Sequence, residues 1–271
     1  SHHDKVNTAS IYARESDDFK KFSKFGKKKV YDKYKSAYKL KFPRKENTVG
    51  DVIEVHLSAS EIKRIAHECD CTVTVYLTAV LIRSIVQCAH VGDLKKPIGI
   101  IVPIDLRGIF PSQTVRNFFY TVNIQYEYRE EDTLLDIIKF LKEKFSEKFS
   151  KENLQALLDS YMSLEKLLLL RIIPNFLKDF ILGIITGFRN TETMGFSNLG
   201  VVEMPEVYSD YICAFSGVMS TVDLHLTTMT YNDELRFSFM SHFVTNEIER
   251  NMVKFLKDAG IEKCKIVSNK E

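Results

Sequence analysis

Apolar positions recur along this chain in two rhythms, and the switches between them lay out its elements. VIEVHLS, beginning at Val52, alternates apolar and polar residues with period two, as a strand with one buried face does. Ser58, with Glu61 three residues on, forms a capping box and predicts a helix through EIKRIAHEC. Thr72 or Thr74 opens a second helix, YLTAVLIRSIVQCA, which is apolar almost all round and is therefore expected to be buried. KPIGIIVPID and FFYTVNIQYEY, rich in β-branched and aromatic residues, read as strands. Helical spacing then returns in TLLDIIKFLKEKFSEKF, ENLQALLDSYMS and EKLLLLRII, the last broken by Pro174 before it resumes as NFLKDFILGIITGF. Arg171, Pro174, Lys178 and Asp179 interrupt that final pair short of the roughly 20 apolar residues that cross a bilayer, so no membrane span is expected.

The last third is mostly strands: GFSNLGVV, YICAFSGVM, DLHLTTMTY and LRFSFMSHF. The turn Tyr231-Asn232-Asp233-Glu234 joins the last two as a hairpin. Thr245 or Asn246 caps a closing helix, NEIERNMVKFLKDAG, that stops at Gly260. These elements predict an α/β fold in which helices cover a mixed sheet, without a repeat of solenoid period.

Composition divides the chain at about residue 48. From Lys20 to Lys45 many lysines face a single acid, Asp32, with Phe22, Phe25, Tyr31, Tyr34, Tyr38 and Phe42 interleaved. Such a stretch can grip phosphates and stack bases, or it can be a basic linker whose aromatics pack while its lysines stay in water. A net charge of only +2 favours the linker, and no nucleic-acid partner is expected. We therefore read residues 1–48 as a basic linker and 49–271 as the globular region, long enough for a large core. SHHDKVNTAS lacks an apolar h-region, so a cytoplasmic protein is expected, and His2 and His3 suit a tag remnant. Cys69, Cys71, Cys88, Cys213 and Cys264 are odd in number and lack zinc spacing, which predicts reduced thiols and no metal.

Phosphate loops, HExxH pairs and GxSxG elbows are absent from the sequence. FSNLG preceded by Gly195 resembles the sheet motif of the dihydrolipoyl and chloramphenicol acetyltransferases. VPIDLRGIFPSQTVRNFF resembles a segment in the carboxy-terminal halves of two-lobed alcohol acyltransferases and peptide-synthetase condensation domains. The order YLTAVLIRSI, VPIDLR, RNFF, SKENLQA, SNLG, YND, EIER is similar to that of bacterial alcohol acetyltransferases, and the resemblance runs from about Ser36 to the end.

The resemblance implies a chloramphenicol acetyltransferase-like sandwich, one lobe of a two-lobed acyltransferase. It implies acyl-CoA as donor, coenzyme A as cofactor, an alcohol or amine as acceptor, and no metal. The family's base is a His in an HHxxxDG motif on the amino-terminal lobe. SHHDKV lacks the DG, so this chain is expected to be the carboxy-terminal lobe, its base on a missing amino-terminal lobe. In single-lobe relatives the motif follows the last hairpin strand. FMSHFVTNE there offers His242, with Asn246 in place of the carboxylate, a degenerate copy that suits a structural or interface residue.

By the same resemblance Ser197 or Asn198 lines the substrate tunnel, one donating to the oxyanion and facing a His of another lobe or subunit. The alternative is that both satisfy strand and turn backbone. Asp105 and Arg107, two apart at a strand end, suit a structural salt bridge, and Asn117 suits a tunnel or backbone-capping amide. Two other readings stay open: a non-catalytic interaction or carrier-binding module of the same fold, and a single-lobe trimeric enzyme using His242.

Overall fold

The computed structural model describes residues 14–24, 34–46, 50–165, 190–221 and 223–268. His2, His3, residues 25–33 of the basic stretch and most of the helical pair around Pro174 lie outside them. The strands are β1 (Asp51–Ser58), β2 (Ile98–Asp105), β3 (Phe119–Tyr126), β4 (Met194–Val201), β5 (Leu224–Tyr231), β6 (Glu234–Ser241) and β7 (Cys264–Ser268). They form a seven-stranded mixed sheet of order β3-β2-β4-β5-β6-β1-β7. β4 runs parallel to β2 and β5, whereas β6 is antiparallel to β5 and β1, and β7 to β1. The described helices are α1 (Asp18–Phe22), α2 (Ala59–Glu68), α3 (Val73–Cys88), α4 (Leu134–Lys148), α5 (Lys151–Glu165), α6 (Glu206–Ser209) and α7 (Glu247–Asp258). The α/β fold expected from the residue pattern is present. No single helix among the described residues is long and apolar enough to cross a membrane.

The chain divides into two compact units, Ser1–Tyr34 with Pro103–Val122 and Ser146–Asn190, and Lys35–Val102 with Asn123–Phe145 and Thr191–Glu271. In the first, Phe19 of α1 meets Phe118 edge-on at 5.1 Å between ring centres, and Phe22 lies 5.5 Å from Phe110. Asp159 of α5 accepts from the Ser23 hydroxyl at 3.1 Å and the Lys24 backbone N–H at 2.7 Å. These aromatics are therefore packed, while Lys20 stays exposed beside Asp17. In the second unit Ala37 and Tyr38 are buried, and the Lys35 backbone exchanges two hydrogen bonds with the Gln125 amide.

The sheet's second-unit core follows from strand alternation. Phe196, Leu226, Phe239 and Ile53 stand in register on one face, with Phe237 and Val55 beside them. α3 packs on α2 and α7, and residues Val75 to Ile82 are all buried, as its all-round apolar pattern predicts. Thr72 is its N-cap, its hydroxyl accepting from the Val75 N–H at 3.3 Å. The Ser58 half of the capping box on α2 also forms, at 3.3 Å to the Glu61 N–H. Glu61 does not complete the box; its carboxylate accepts from the Glu262 N–H at 3.1 Å, a longer-range partner. The hairpin turns at Asn232, whose φ of 53° is one an Asn tolerates. Its neighbour Asp233 accepts from the Ser60 N–H at 2.8 Å and the Ser58 hydroxyl at 2.9 Å. Those bonds hold the Asp233 carboxyl below the usual carboxylate range.

Two expectations are corrected, and one strand was not expected. YICAFSGVM is not a strand: residues 212–221 are irregular, and Phe215 spends its ring on Tyr231 at 5.1 Å instead of entering a ladder. The short edge strand β7 was not legible from CKIVS, because five residues with four exposed carry little pattern. Asn246 is at the N-cap position of α7 but makes no side-chain capping bond, the φ of −123° and ψ of 35° there being unlike the extended backbone a capping side chain needs.

Candidate functional site

The motif MGFSNLGV is strand β4, and its two polar residues go to opposite faces because successive side chains alternate. Asn198 faces the helices: its amide donates to the Thr74 hydroxyl at the start of α3 at 2.9 Å, and its carbonyl oxygen accepts from the Gly200 N–H at 3.0 Å. The second bond closes a local turn at a register shift between Asn198 and Val201, where Gly200 takes a φ of +75° that disfavours any side chain. SNLG is thus a bulge that ties β4 to α3 through one amide.

Ser197 faces the other way and is wholly buried, 0% exposed. Its Oγ lies 3.0 Å from Nε2 of His225, on the parallel neighbour β5, and 3.2 Å from Sδ of Met219. His225 is itself 9% exposed, and burial pushes its imidazole below the ordinary value, so the ring is neutral at pH 7. Gly195 sits directly opposite His225 in the register, and a Cβ there would collide with the imidazole. The missing side chain is what leaves room for the Nδ1–Cε1 edge of the ring while Nε2 reaches Ser197. Thr227, next on this face of β5, is 1% exposed, and its hydroxyl has no hydrogen-bond partner among the described residues.

The same face continues as a polar field across β6 and β1. Ser238 and Glu54 stand in register with Thr227, and the Ser238 hydroxyl donates to Glu54 at 3.4 Å. One step along, Arg236, His56 and Lys265 form a cross-strand row. His56 lies 3.6 Å from Glu54 and 3.5 Å from Glu234, and Arg236 is paired with Glu234. A pocket of about 710 Å³ opens there, lined by His56, Tyr231, Arg236, Lys263 and Lys265 among others.

His242 follows β6 and is half-buried, with its Nε2 close to Gly50. Its backbone N–H donates to Asp223 and its carbonyl accepts from the Lys45 N–H, each at 3.0 Å. No hydrogen bond joins its side chain to Asn246 among the described residues. In the first unit, Asp105 accepts from the Arg107 guanidinium at 2.8 Å and its N–H at 3.0 Å. Arg107 also donates to the carbonyls of Thr114, at 3.1 Å, and Arg116, so this pair pins the loop between β2 and β3. Asn117 lines a pocket of about 300 Å³ with Phe19, Phe119 and Tyr161.

His225 and Met219 were not singled out from the sequence. The signal for His225 was partial, since alternation in DLHLTTMTY puts His225 and Thr227 on one face and Leu224 and Leu226 on the other. What it lacked was the pairing partner. Met219 lay in a segment predicted as a strand and gave no signal.

No family model and no curated protein matches the chain. Solved structures do. The trichothecene 15-O-acetyltransferase from Fusarium sporotrichioides superposes with a TM-score of 0.59 at 10% identity, over 82% of this chain and 49% of that one. The epimerization domain from the third module of tyrocidine synthetase B gives 0.51 at 12% identity, over 91% and 55%. The complex of the X-domain and OxyB from teicoplanin biosynthesis gives 0.51 at 11%, over 83% and 48%. Condensation domains are also among the similar structures. The chain spans about half the length of each of these three structures. Its mixed sheet and helices have the chloramphenicol acetyltransferase-like fold of the acetyltransferase and epimerization-domain structures.

Proposed function

We propose that this chain is the carboxy-terminal lobe of an acyltransferase that moves an acyl group from a thioester, acyl-CoA, to an alcohol or amine. The observation that carries the proposal is the buried Ser197 hydroxyl, held at 3.0 Å by His225 in the strand motif. In the reaction the acceptor oxygen or nitrogen attacks the thioester carbonyl carbon while a base takes its proton. The carbonyl oxygen becomes an oxyanion, and collapse breaks the carbon–sulfur bond and releases the thiol. A hydroxyl aimed at that oxyanion from a site that excludes water contributes about 3 kcal/mol. Ser197 suits this role by burial and by a fixed neighbour. Asn198 does not, because its amide is spent on Thr74 and Gly200.

The base is assigned to an HHxxxDG histidine of an amino-terminal lobe. The share of the similar structures that this chain spans supports the assignment, as does the lack of a hydrogen bond between His242 and Asn246. His225 is a poor base, being buried and already engaged with Ser197. Asp105 and Arg107 hold their loop, and Asn117 lines the first unit's pocket, where an acyl chain or acceptor can rest.

The chain assayed alone with acetyl-CoA and a panel of alcohols and amines is expected to show no turnover; turnover abolished by His242→Ala would establish the single-lobe alternative. In a protein carrying both lobes, Ser197→Ala is expected to lower kcat by roughly 10²-fold with KM nearly unchanged, because the bond strengthens only in the transition state. Full turnover in that variant would remove Ser197 from the chemistry. A second reading, a non-catalytic module that holds a partner protein, is favoured by the likeness to the X-domain complexed with OxyB. It predicts that no upstream lobe restores turnover.

A further inference from the structure

We infer that His225 is a positioning residue that makes the Ser197 hydroxyl an outward donor, and that the Met219 thioether occupies the seat of the substrate's acyl carbonyl oxygen. This rests on the acyl-transfer reading of Ser197 given above.

A serine hydroxyl has one hydrogen, and Ser197 has two neighbours, Nε2 of His225 at 3.0 Å and Sδ of Met219 at 3.2 Å. If Ser197 gives its hydrogen to Nε2, the imidazole must carry its own proton on Nδ1. Met219 then has nothing to accept, because a thioether sulfur carries no hydrogen and can meet Oγ only as an acceptor. The other tautomer leaves Nδ1 bare against the glycine and puts the proton on Nε2, which donates to Ser197 Oγ. The Ser197 hydrogen is then free to point along its second contact, to Met219. This arrangement satisfies both contacts with one proton each, and it sets Ser197 as a donor before any substrate arrives.

The recipient of that hydrogen is a poor one. A thioether sulfur is a weak acceptor, so a carbonyl oxygen displaces it, and a developing oxyanion does so more strongly. Met219 can leave. It is 46% exposed, it lies in the irregular stretch 212–221, and its unbranched side chain swings at low energetic cost. Until then it keeps water off the hydroxyl. Gly217, two residues earlier, lets this stretch lie close on the sheet: a Cβ there would be 3.3 Å from Leu199 and 3.5 Å from Thr227. The ligand class that fits the seat is an acyl thioester, its carbonyl oxygen taking the place of the Met219 sulfur.

The test uses the full chain, nitrogen NMR of its histidines, and carbon-13 methyl labels on its methionines. The probe is S-acetyl-N-acetylcysteamine, a minimal acyl thioester. His225 is expected to show a protonated Nε2 and a bare Nδ1; a protonated Nδ1 would overturn the inference. The methyl signal that disappears in Met219→Leu is expected to move as the probe is added. Met219→Ala should bind the probe about threefold or more tightly, since no resident group competes for the seat. Ser197→Ala should bind it about fivefold more weakly, one neutral hydrogen bond having gone. His225→Gln, which keeps an N–H donor near Ser197, should bind close to normally, whereas His225→Leu should resemble Ser197→Ala. If Met219→Ala changes nothing while Ser197→Ala still weakens binding, the Met219 seat is refuted and the acyl-transfer reading stands. If no variant alters binding, both fall.

Discussion

The two faces of the strands β4, β5, β6 and β1 are made of different materials, and around Ser197 they are buried almost equally. One carries Phe196, Leu226, Phe239 and Val55, each 1% exposed or less. The other carries Ser197, Thr227 and Ser238, each 2% exposed or less, with His225 at 9%. Burying each large apolar side chain on the first face stabilises the fold by about 1.5–3 kcal/mol. Burying hydroxyls and an imidazole on the second gives no such return, and a polar group left unpaired there costs about 1–3 kcal/mol. A face that is buried and polar is therefore not explained by stability, and the proposed acyl transfer, which needs oriented donors away from water, supplies a reason for it. On the proposed function, stability and chemistry fall to opposite sides of one sheet.

The largest expected effect tests the apolar side. Phe239→Ala should lower unfolding stability by about 3–5 kcal/mol, measured by urea titration, because it leaves a cavity between Ile53 and Leu226. A loss under 1 kcal/mol would mean that this face is not the core.

Gly195→Ala probes how closely the two sides are fitted. The added methyl meets the His225 ring, so a loss of about 1–3 kcal/mol is expected. The His225 signal in NMR should shift with it. His225→Ala in the same background should recover part of the lost stability, since the obstructing ring is gone, and additive losses would show that the two residues do not touch.

Thr227→Val should go in the opposite direction. Its hydroxyl is buried without a partner among the described residues, so an isosteric apolar replacement is expected to leave stability unchanged or raise it by about 1 kcal/mol. A clear loss in a thermal melt would reveal a hidden partner for that hydroxyl and weaken the contrast between the faces.

The smallest effect is a pH dependence. His225 has its imidazole below the ordinary value in the folded state, so the unfolded chain binds the proton more readily. Its contribution is fully present above the unfolded value near pH 6.5 and is lost as pH falls through the folded value. Stability should thus decline on acidification below about pH 6.5, and His225→Gln should reduce that slope. An unchanged slope would mean that other groups carry it.

Much of the fold was legible from local pattern. Alternation in VIEVHLS, the N-caps at Ser58 and Thr72, the all-round apolar run of α3 and the turn at Asn232 are decided by nearest neighbours and backbone preference, and each appears where the residues predict it. The glycine of SNLG and the polarity of Ser197 and Asn198 were equally visible. That these two side chains point to opposite faces follows from strand alternation alone.

The tertiary structure decided the rest, for reasons that no local pattern encodes. Ser197 and His225 are 28 residues apart, and they meet only because β5 pairs parallel to β4 in a register that sets His225 opposite Gly195. Residues 212–221 have strand-like composition, yet the edges they could have joined are taken: β4 pairs with β2 and β5, and β5 with β4 and β6. Left without a ladder, the stretch crosses the polar face and brings Met219 to Ser197. Composition sets which residues can form a strand, but the limited number of free backbone edges sets which ones do.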